Sequence, residues 1–416
     1  MLLDFSLKNY RSYKEEVKID FTPEIRKKSK DDYRDSIKVV KCGKKNKEII
    51  NSSFIYGYNG TGKSNLIRGL FNLKELLKKS RNDDEPDFLK DFYDPFLFDE
   101  KSQKKDTYIK ISWLMEKSKG QNMEYHYTIS YNKNLISTEE LNGINMNDRD
   151  PNPHRKDIPI LTKLAKTGDF EMKKIYDYLT KNILVVNHKM RHIPTFFTNY
   201  QKDKEFKVRA NNFIRKADFG ISGLNITEHE IQEIMKTGDK KLRQELMNFI
   251  ATRKYVEKDA KNNKIMIINP TTIHEIKNSL GEKINSFSLD LEEESQGTQE
   301  LMAILYYIYR ATKNGGVLCI DEFTSYLHPA LVKLIINIFR NEDNKGQLII
   351  TTHDVYLLDS LKLRRDQIWI TNKTIDSQET NIMRISREES RSEINMADRF
   401  MFGLYGSIPP TLINDF

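Results

Sequence analysis

Hydrophobic and polar residues alternate over the first twenty positions of the chain, which is the period of a β-strand with one buried face. The apolar positions are Leu3, Phe5 and Leu7 and, after a polar turn, Val17, Ile19 and Phe21. This pattern predicts a β-hairpin. A similar alternation between residues 95 and 142 predicts an antiparallel meander.

A different order of elements follows the first hairpin. The apolar run Ile49–Tyr56 predicts a strand that ends at a glycine-rich loop. Beyond the loop, leucines recur at spacings of four and three residues, at Leu66, Leu70, Leu73 and Leu77. That spacing places the leucines on one face of an amphipathic helix, so the segment reads as strand, loop and helix.

The last third of the chain alternates strands and helices again, after a long charged segment. The expected strands are Phe287–Leu291, Val317–Ile320, Leu348–Thr352 and Ile368–Thr371. Alternation of this kind predicts an α/β core in which helices cover a mixed sheet. The charged segment is expected to be mainly helical, with one strand at Ile183–Asn187 and its best helical period in Asp239–Asp259.

These patterns predict three segments along the chain. Residues 1–147 and 285–416 are expected to form one α/β domain with an antiparallel β subdomain, and residues 148–284 a mainly helical insertion domain. The first boundary falls in Asp148–Pro159, a stretch rich in proline, asparagine and charge.

Composition narrows the class of protein further. The 416 residues carry 68 Lys and Arg against 60 Asp and Glu, a net charge of +8 that is scattered along the chain and leaves nucleic-acid contact open. The two cysteines, Cys42 and Cys319, cannot form a disulfide framework. The longest apolar run, Leu301–Tyr309, is about half as long as a membrane span. We therefore expect a cytoplasmic protein without membrane contact.

The glycine-rich loop carries the strongest chemical signal. Gly57-Tyr58-Asn59-Gly60-Thr61-Gly62-Lys63-Ser64 matches G-x-x-x-x-G-K-[ST] in full, between an expected strand and an expected helix. In this motif, backbone N–H groups surround phosphates, the lysine reaches the β- and γ-phosphates, and the hydroxyl binds Mg²⁺. The predicted nucleotide-binding residues are Gly57, Asn59, Gly60, Thr61, Gly62, Lys63, Ser64 and Asn65.

A second motif ends the strand Val317–Ile320 with two carboxylates. Asp321 would reach the Mg²⁺ together with Ser64, and Glu322 would act as general base toward the attacking water. Two further segments suit the same site. His353 follows the strand Leu348–Thr352, and Ser295-Gln296-Gly297 begins a helix whose N-terminus is suited to an anion.

The order of these motifs resembles the ABC-type ATPase superfamily. The chain is similar to the stand-alone AAA15/AAA21 ATPases, relatives of the OLD and RecF/SMC-like heads, and the likeness covers both ends of the chain. The matching pieces are Asn9-Tyr10-Arg11-Ser12, Glu294–Thr298, Asp321-Glu322-Phe323, Leu327-His328-Pro329 and Leu404–Pro409. A glutamine equivalent to the Q-loop is not assigned; Gln103 and Gln121 are available.

The resemblance implies ATP and Mg²⁺ held between two heads of a homodimer or higher homo-oligomer. Ser295 and Gly297 of one subunit would complete the site of the other, His353 would sense the γ-phosphate, and Arg11 would contact the nucleotide. Ser325–His328 would cross the interface between subunits.

The resemblance also implies a biological role. The leading hypothesis is an ATPase that senses infection and regulates a separately encoded effector, a nuclease or toxin, in bacterial anti-phage defence. The alternative is a RecF/SMC-like clamp that binds DNA in the presence of ATP during DNA repair.

A metal site at His188 and His192 is a weaker hypothesis, because the sequence offers no further ligand nearby.

Overall fold

The computed structural model describes residues 1–24, 34–81, 88–118, 120–187, 192–217, 220–230, 256–259, 264–361, 363–374, 376–385 and 395–405. The chain divides into two compact units. The first unit comprises Met1–Asn187, Arg310–Ser325 and Val332–Phe416, and the second comprises His188–Tyr309 and Tyr326–Leu331. The expected division into segments 1–147, 148–284 and 285–416 stays a prediction.

Strands of the first unit form two sheets. They are β1 (Leu2–Lys8), β2 (Val17–Asp20), β3 (Ile37–Cys42), β4 (Lys45–Ile50), β5 (Ser52–Tyr56), β6 (Thr107–Ser118), β7 (Gln121–Tyr131), β8 (Ile136–Leu141), β9 (Ile144–Asn145), β10 (Ile183–Val186), β15 (Val317–Ile320), β16 (Gln347–Thr352), β17 (Ile368–Lys373) and β18 (Thr380–Arg384). The strands between β10 and β15 along the chain belong to the second unit.

The larger sheet has the order β2-β1-β6-β7-β3-β4, with β8 added to β7 and β9 to β8. β1 and β2 pair antiparallel, as do β6, β7 and β8, which confirms the predicted hairpin and meander. The hairpin of β3 and β4 was not predicted. Its lysines interrupt the apolar alternation, and most of its side chains are partly or fully exposed.

The second sheet has the order β10-β15-β16-β5-β17-β18. Its first five strands run parallel, and β18 is antiparallel to β17. Every residue of β5, β10, β15 and β16 is buried, which explains why β10 and β15 are continuous apolar runs; β5 and β16 also carry buried serine, glutamine and threonine side chains. The expected strand Ile49–Tyr56 is in fact two strands, because the chain passes from the larger sheet (β4) to the second sheet (β5) at the buried Asn51, whose side-chain amide donates to the carbonyl of Asp35 (2.6 Å).

The described α-helices are α1 (Lys63–Lys79), α2 (Ile160–Lys166), α3 (Phe170–Asp177), α4 (Ile193–Lys202), α5 (Lys204–Lys216), α6 (Gln296–Asn314), α7 (Pro329–Arg340), α8 (Tyr356–Ser360) and α9 (Met396–Met401). α1 buries the four leucines that its sequence period predicted. It lies close to β1, where a Cβ on Gly69 would be 2.8 Å from a methyl group of Leu7. None of the described helices is both long and apolar enough to cross a membrane.

The second unit contains an antiparallel sheet, of which the sequence predicted only the last strand. Its strands are β11 (Ile221–Glu230), β12 (Val256–Asp259), β13 (Lys264–Lys277) and β14 (Lys283–Asp290). β13 pairs with the other three strands, and β14 confirms the strand expected near Phe287–Leu291. Residues 256–259 form a strand, where the helical period had predicted the end of a helix; residues 239–255 lie outside the described residues.

Aromatic side chains form the core of the second unit. Phe196, Phe197 and Tyr200 of α4 and Phe206 of α5 pack together with Tyr309 of α6. These aromatic side chains are therefore committed to packing within the unit. The strand expected at Ile183–Asn187 is confirmed as β10 and belongs to the first unit.

Candidate nucleotide-binding site

The glycine-rich loop lies between β5 and α1, as the motif requires. Gly62 precedes α1 with a φ of 101°, and a Cβ there would approach Thr380 Oγ1 to 2.6 Å. A Cβ on Gly57 would collide with the Thr371 hydroxyl. Asn59 and Gly60 form the exposed tip of the loop. The tight backbone curve thus depends on glycine at both ends of the loop.

Lys63 points into the curve of this loop. Its ammonium group donates to the carbonyl of Gly57 (2.5 Å) and to that of Tyr58 (2.9 Å). Burial lowers the pKa of Lys63 from its ordinary value, while the carboxylates of Asp321 and Glu322 oppose that shift. A cation held against carbonyls in a partly desolvated loop is suited to exchange them for phosphate oxygens.

Side chains distant in the sequence hold the loop in shape. Thr61 donates its hydroxyl to the Tyr58 carbonyl (2.8 Å), and Thr380 of β18 donates to the Thr61 carbonyl (2.9 Å). Asn65 donates to the Ser12 hydroxyl (2.9 Å) in the turn after β1. No sequence pattern indicated Thr380, because an isolated threonine belongs to no motif.

An aromatic pair covers the beginning of the loop. The ring of Tyr58 stacks on Phe400 of α9, with centroids 5.4 Å apart and an interplanar angle of 15°. Phe400 also meets Tyr56 edge to face at 6.1 Å. This contact joins the last described helix to the candidate phosphate loop, and no motif in the sequence predicted it.

The two predicted Mg²⁺ ligands lie together. Ser64, in the first turn of α1, donates its hydroxyl to Asp321 Oδ1 (3.0 Å), and Asp321 follows the last residue of β15. The same carboxylate oxygen accepts a hydrogen bond of 2.5 Å from Thr351 Oγ1. A hydroxyl and a carboxylate are oxygen ligands of the kind that Mg²⁺ prefers, so this pair fits the ion.

Glu322 has an unusual backbone conformation. Its φ is 49°, in the left-handed region that residues with a Cβ seldom adopt. Its N–H donates to Thr351 Oγ1 (2.9 Å), and its carbonyl accepts from the Ser325 hydroxyl (2.9 Å). The structure therefore holds the exposed Glu322 in a strained turn, as is common for residues with a chemical role.

His353 lies at the same edge of the sheet. It follows β16, which is placed between β5 and β15, and its side chain is exposed. The phosphate loop, Asp321 and His353 thus follow the carboxyl ends of three adjacent parallel strands, where α/β proteins bind their ligands. The role of His353 as a sensor of the γ-phosphate stays a prediction.

Arg11 has a partner within the chain. It has a φ of 51°, and its guanidinium forms an ion pair with Asp94 (2.6 Å). Its N–H donates to the carbonyl of the same aspartate (2.8 Å). A contact between Arg11 and nucleotide stays a prediction, and it would compete with this ion pair.

The signature turn, which we define as Glu294–Thr298, lies in the second unit. Ser295 precedes α6 and accepts a hydrogen bond from the N–H of Thr298 (3.1 Å) in the manner of a helix N-cap. A Cβ on Gly297 would lie 2.7 Å from the carbonyl oxygen of Tyr326. Ser295 is exposed, so its side chain is accessible to a ligand that is bound on another subunit.

The remaining candidate residues from the sequence are two histidines, one cysteine and two glutamines. His192 shares a hydrogen bond with the hydroxyl of Tyr307 (2.8 Å), and His188 lies outside the described residues. Cys319 is fully buried in β15, and this burial raises its pKa to about 12. Gln103 donates to the carbonyl of Leu97 (2.8 Å), and Gln121 begins β7, so neither is assigned to a Q-loop.

A phosphate loop between a parallel strand and a helix, with Ser64 and Asp321 in hydrogen-bond contact beside it, is the arrangement of an ABC-type P-loop ATPase domain. The family model AAA_21, described as "AAA domain, putative AbiEii toxin, Type IV TA system", matches residues 52–359. The match spans 308 of the 416 residues, and the chain belongs to this family. The expected fold class and family resemblance are thereby confirmed. No curated protein sequence matches the chain significantly.

Several solved structures are similar to this chain. An SMC head domain from Thermotoga maritima has 14% identity and a TM-score of 0.42, covering 92% of this chain and 99% of that one. An SmcHead bound to the C-winged helix domain of ScpA gives 14% and 0.43, with 94% and 98% covered. A Pyrococcus furiosus Smc head domain with an extended coiled coil, bound to the C-terminal domain of ScpA, gives 15% and 0.39, with 97% and 99% covered. Likenesses this weak say nothing of what the chain binds.

Proposed function

We propose that the protein binds Mg²⁺ and ATP, hydrolyses ATP, and uses the cycle to regulate a separate effector. The observation that carries this proposal is the array of Lys63, Ser64, Asp321 and Glu322 at one edge of the parallel sheet, linked through Thr351. Membership of a family of P-loop ATPases supports the same reading.

The chain's own groups would divide the chemistry between them. Loop N–H groups and Lys63 would bind the phosphates, while Ser64 and Asp321 would hold the Mg²⁺, which neutralises phosphate charge. Glu322 would accept the proton of the attacking water, and His353 would orient the terminal phosphate. The exposed Ser295 would act from a second copy, so that ATP joins two subunits.

Two variants test this mechanism. Lys63→Ala should abolish ATP binding, because Lys63 is the only cationic residue of the phosphate-binding motif Gly57–Ser64. Glu322→Gln should retain ATP binding, lose turnover and accumulate a dimer. Fluorescent nucleotide binding, phosphate release and light scattering measure these three properties. Unchanged turnover by Glu322→Gln would show that another group is the base.

A protein partner is favoured by the description of the family, which names a putative AbiEii toxin and a type IV toxin–antitoxin system, since a toxin–antitoxin system has two components. We infer a role in bacterial anti-phage defence, with a nuclease or toxin as partner. The test is mass measurement of the Glu322→Gln protein purified together with the products of its neighbouring genes, with and without ATP. A protein that captures no neighbour in either state would contradict the proposal.

The second candidate function is a clamp that binds DNA in the presence of ATP. It is favoured by the segment Lys202–Lys216, which carries six cations and two carboxylates, several of them exposed on α5. Lys204→Glu with Lys207→Glu should then weaken duplex binding, and binding should fall steeply with salt. The matched control is Lys44→Glu with Lys45→Glu on the β3–β4 hairpin. Equal effects of both pairs, or no binding with ATP, would exclude the clamp.

A further inference from the structure

A largely buried acid begins the signature turn. Glu294 Oε1 accepts hydrogen bonds from Thr272 Oγ1 (2.5 Å) and from His274 Nε2 (2.7 Å), both on β13. The Thr272 residue is fully buried, and the side chains of His274 and Glu294 are only 16% and 9% exposed. Desolvated hydrogen bonds to a carboxylate are strong and costly to leave unmade, so this contact fixes the position of Glu294.

The two donors are part of the sheet. Thr272 and His274 are two residues apart on β13, so their side chains lie on one face of the sheet. Thr272 Oγ1 also lies 3.1 Å from His274 Nε2 and 3.3 Å from the Leu289 carbonyl of β14. Phe287 of β14 stacks on the imidazole at 5.2 Å. The orientation of the two donors therefore depends on how β13 and β14 pair.

The other residues of the turn are held as well. Gln299 donates its side-chain amide to the Glu294 carbonyl (2.9 Å), and Ser295 accepts from the Thr298 N–H. Gly297 has room only for a hydrogen atom beside the Tyr326 carbonyl. The backbone of the turn is thus anchored on both sides of Ser295, whose own side chain stays exposed.

We propose that Thr272 and His274 are positioning residues of the ATP site. They hold Glu294, and through it they set the orientation in which Ser295 and Gly297 meet nucleotide bound on another subunit. The pairing of β13 with β14 is thereby coupled to ATP turnover. This inference rests on the proposed function, since a signature turn acts only where ATP is hydrolysed.

The central test compares His274→Ala with His274→Gln. Alanine removes the donor, and kcat for ATP hydrolysis should fall about tenfold or more, while KM and the Kd for ATP change less than about threefold. Glutamine can present an Nε2 donor to Glu294 and should restore most of kcat. Thr272→Val keeps the shape of the side chain and should lower kcat in the same way.

The control within the same strand is Glu275→Gln. Glu275 forms a half-exposed ion pair with Lys283 on β14 (3.2 Å) and should leave kcat unchanged. A melting curve for each variant separates positioning from loss of fold. The inference is overturned if His274→Ala retains the wild-type kcat, or if glutamine restores the melting temperature but not the kcat.

A reference variant separates this inference from the proposed function. Ser295→Arg places a bulky cation in the signature turn itself and should abolish turnover. If Ser295→Arg hydrolyses ATP like the wild type, the proposed function of the signature fails. If Ser295→Arg is inactive while Thr272→Val and His274→Ala are fully active, only the positioning role fails.

Discussion

Replacing Thr351 by valine tests the geometry of the carboxylate pair most directly. Thr351 is fully buried at the end of β16, and its hydroxyl joins the two acidic residues by donating to Asp321 Oδ1 (2.5 Å) and accepting from the Glu322 N–H (2.9 Å). Valine has nearly the same shape but no hydroxyl. The substitution therefore removes both hydrogen bonds without opening a cavity.

The magnitude follows from these two contacts. A hydrogen bond to a carboxylate contributes about 1.5–3 kcal/mol, and an unpaired buried N–H costs about 1–3 kcal/mol. Because Glu322 is held at a φ of 49°, loss of its N–H partner should let the backbone relax away from this conformation. If about 2 kcal/mol of this loss falls on the transition state, kcat decreases about thirtyfold.

The assay is steady-state ATP hydrolysis over a Mg²⁺ titration. Thr351→Val should lower kcat and require more Mg²⁺, because Asp321 loses one of the groups that orient it. Thr351→Ser keeps the hydroxyl and should stay within about threefold of the wild type. Thr352→Val serves as control for the loss of a hydroxyl at the end of β16, since that hydroxyl bonds to Thr324 (2.9 Å) and accepts from the Asp354 N–H (3.0 Å) and does not join Asp321 to Glu322. Wild-type kcat and Mg²⁺ dependence in Thr351→Val would refute the reasoning.

Three further outcomes are expected. Phe400→Ala should weaken ATP binding by about three- to tenfold, measured by fluorescent nucleotide titration, because the tyrosine of the phosphate loop loses its stacked ring and an aromatic pair contributes about 0.5–1.5 kcal/mol. Burial lowers the pKa of Lys74 to about 8, so the folded protein binds fewer protons than the unfolded chain between pH 8 and 10, and stability from this residue rises with pH there. Lys74→Met should therefore be more stable by about 1 kcal/mol in urea unfolding at pH 7, with an advantage that shrinks toward pH 10. A thiol reagent at pH 8 should modify Cys42 in the native protein and Cys319 only after unfolding, as counted by mass spectrometry, because burial raises the pKa of Cys319 to about 12.

The parts of the fold that could be predicted are those with one dominant period. β10 and β15 are buried on both faces and therefore appear as unbroken apolar runs. The leucines of α1 face a single core and therefore repeat at helical spacing. In β14, by contrast, nearly every residue is exposed, so its sequence carries little pattern beyond a few apolar positions.

The candidate site also contains residues that the sequence predicts and residues that only the structure reveals. Lys63 and Ser64 are adjacent and belong to a motif whose spacing is set by phosphate geometry, so the sequence alone identifies them. Thr380 contacts the Thr61 carbonyl across 319 positions of the chain. Such a contact depends on the order of strands in the sheet, which no local pattern encodes. Phe400 and Thr351 were missed for the same reason.

The glycines of the phosphate loop and of the signature turn are required for different physical reasons, although both match a motif. Gly60 has a φ of 81° and open space around a Cβ, so its requirement is conformational. At Gly297 the constraint is spatial, because a Cβ would push against the Tyr326 carbonyl. A loss of activity in Gly297→Ala would therefore not demonstrate a lost phosphate contact. Displacement of the Tyr326 backbone by the new methyl group would explain the loss equally well. Ser295 is exposed and has no such neighbour described beyond its own turn, and substitutions there report on the trans contact more directly.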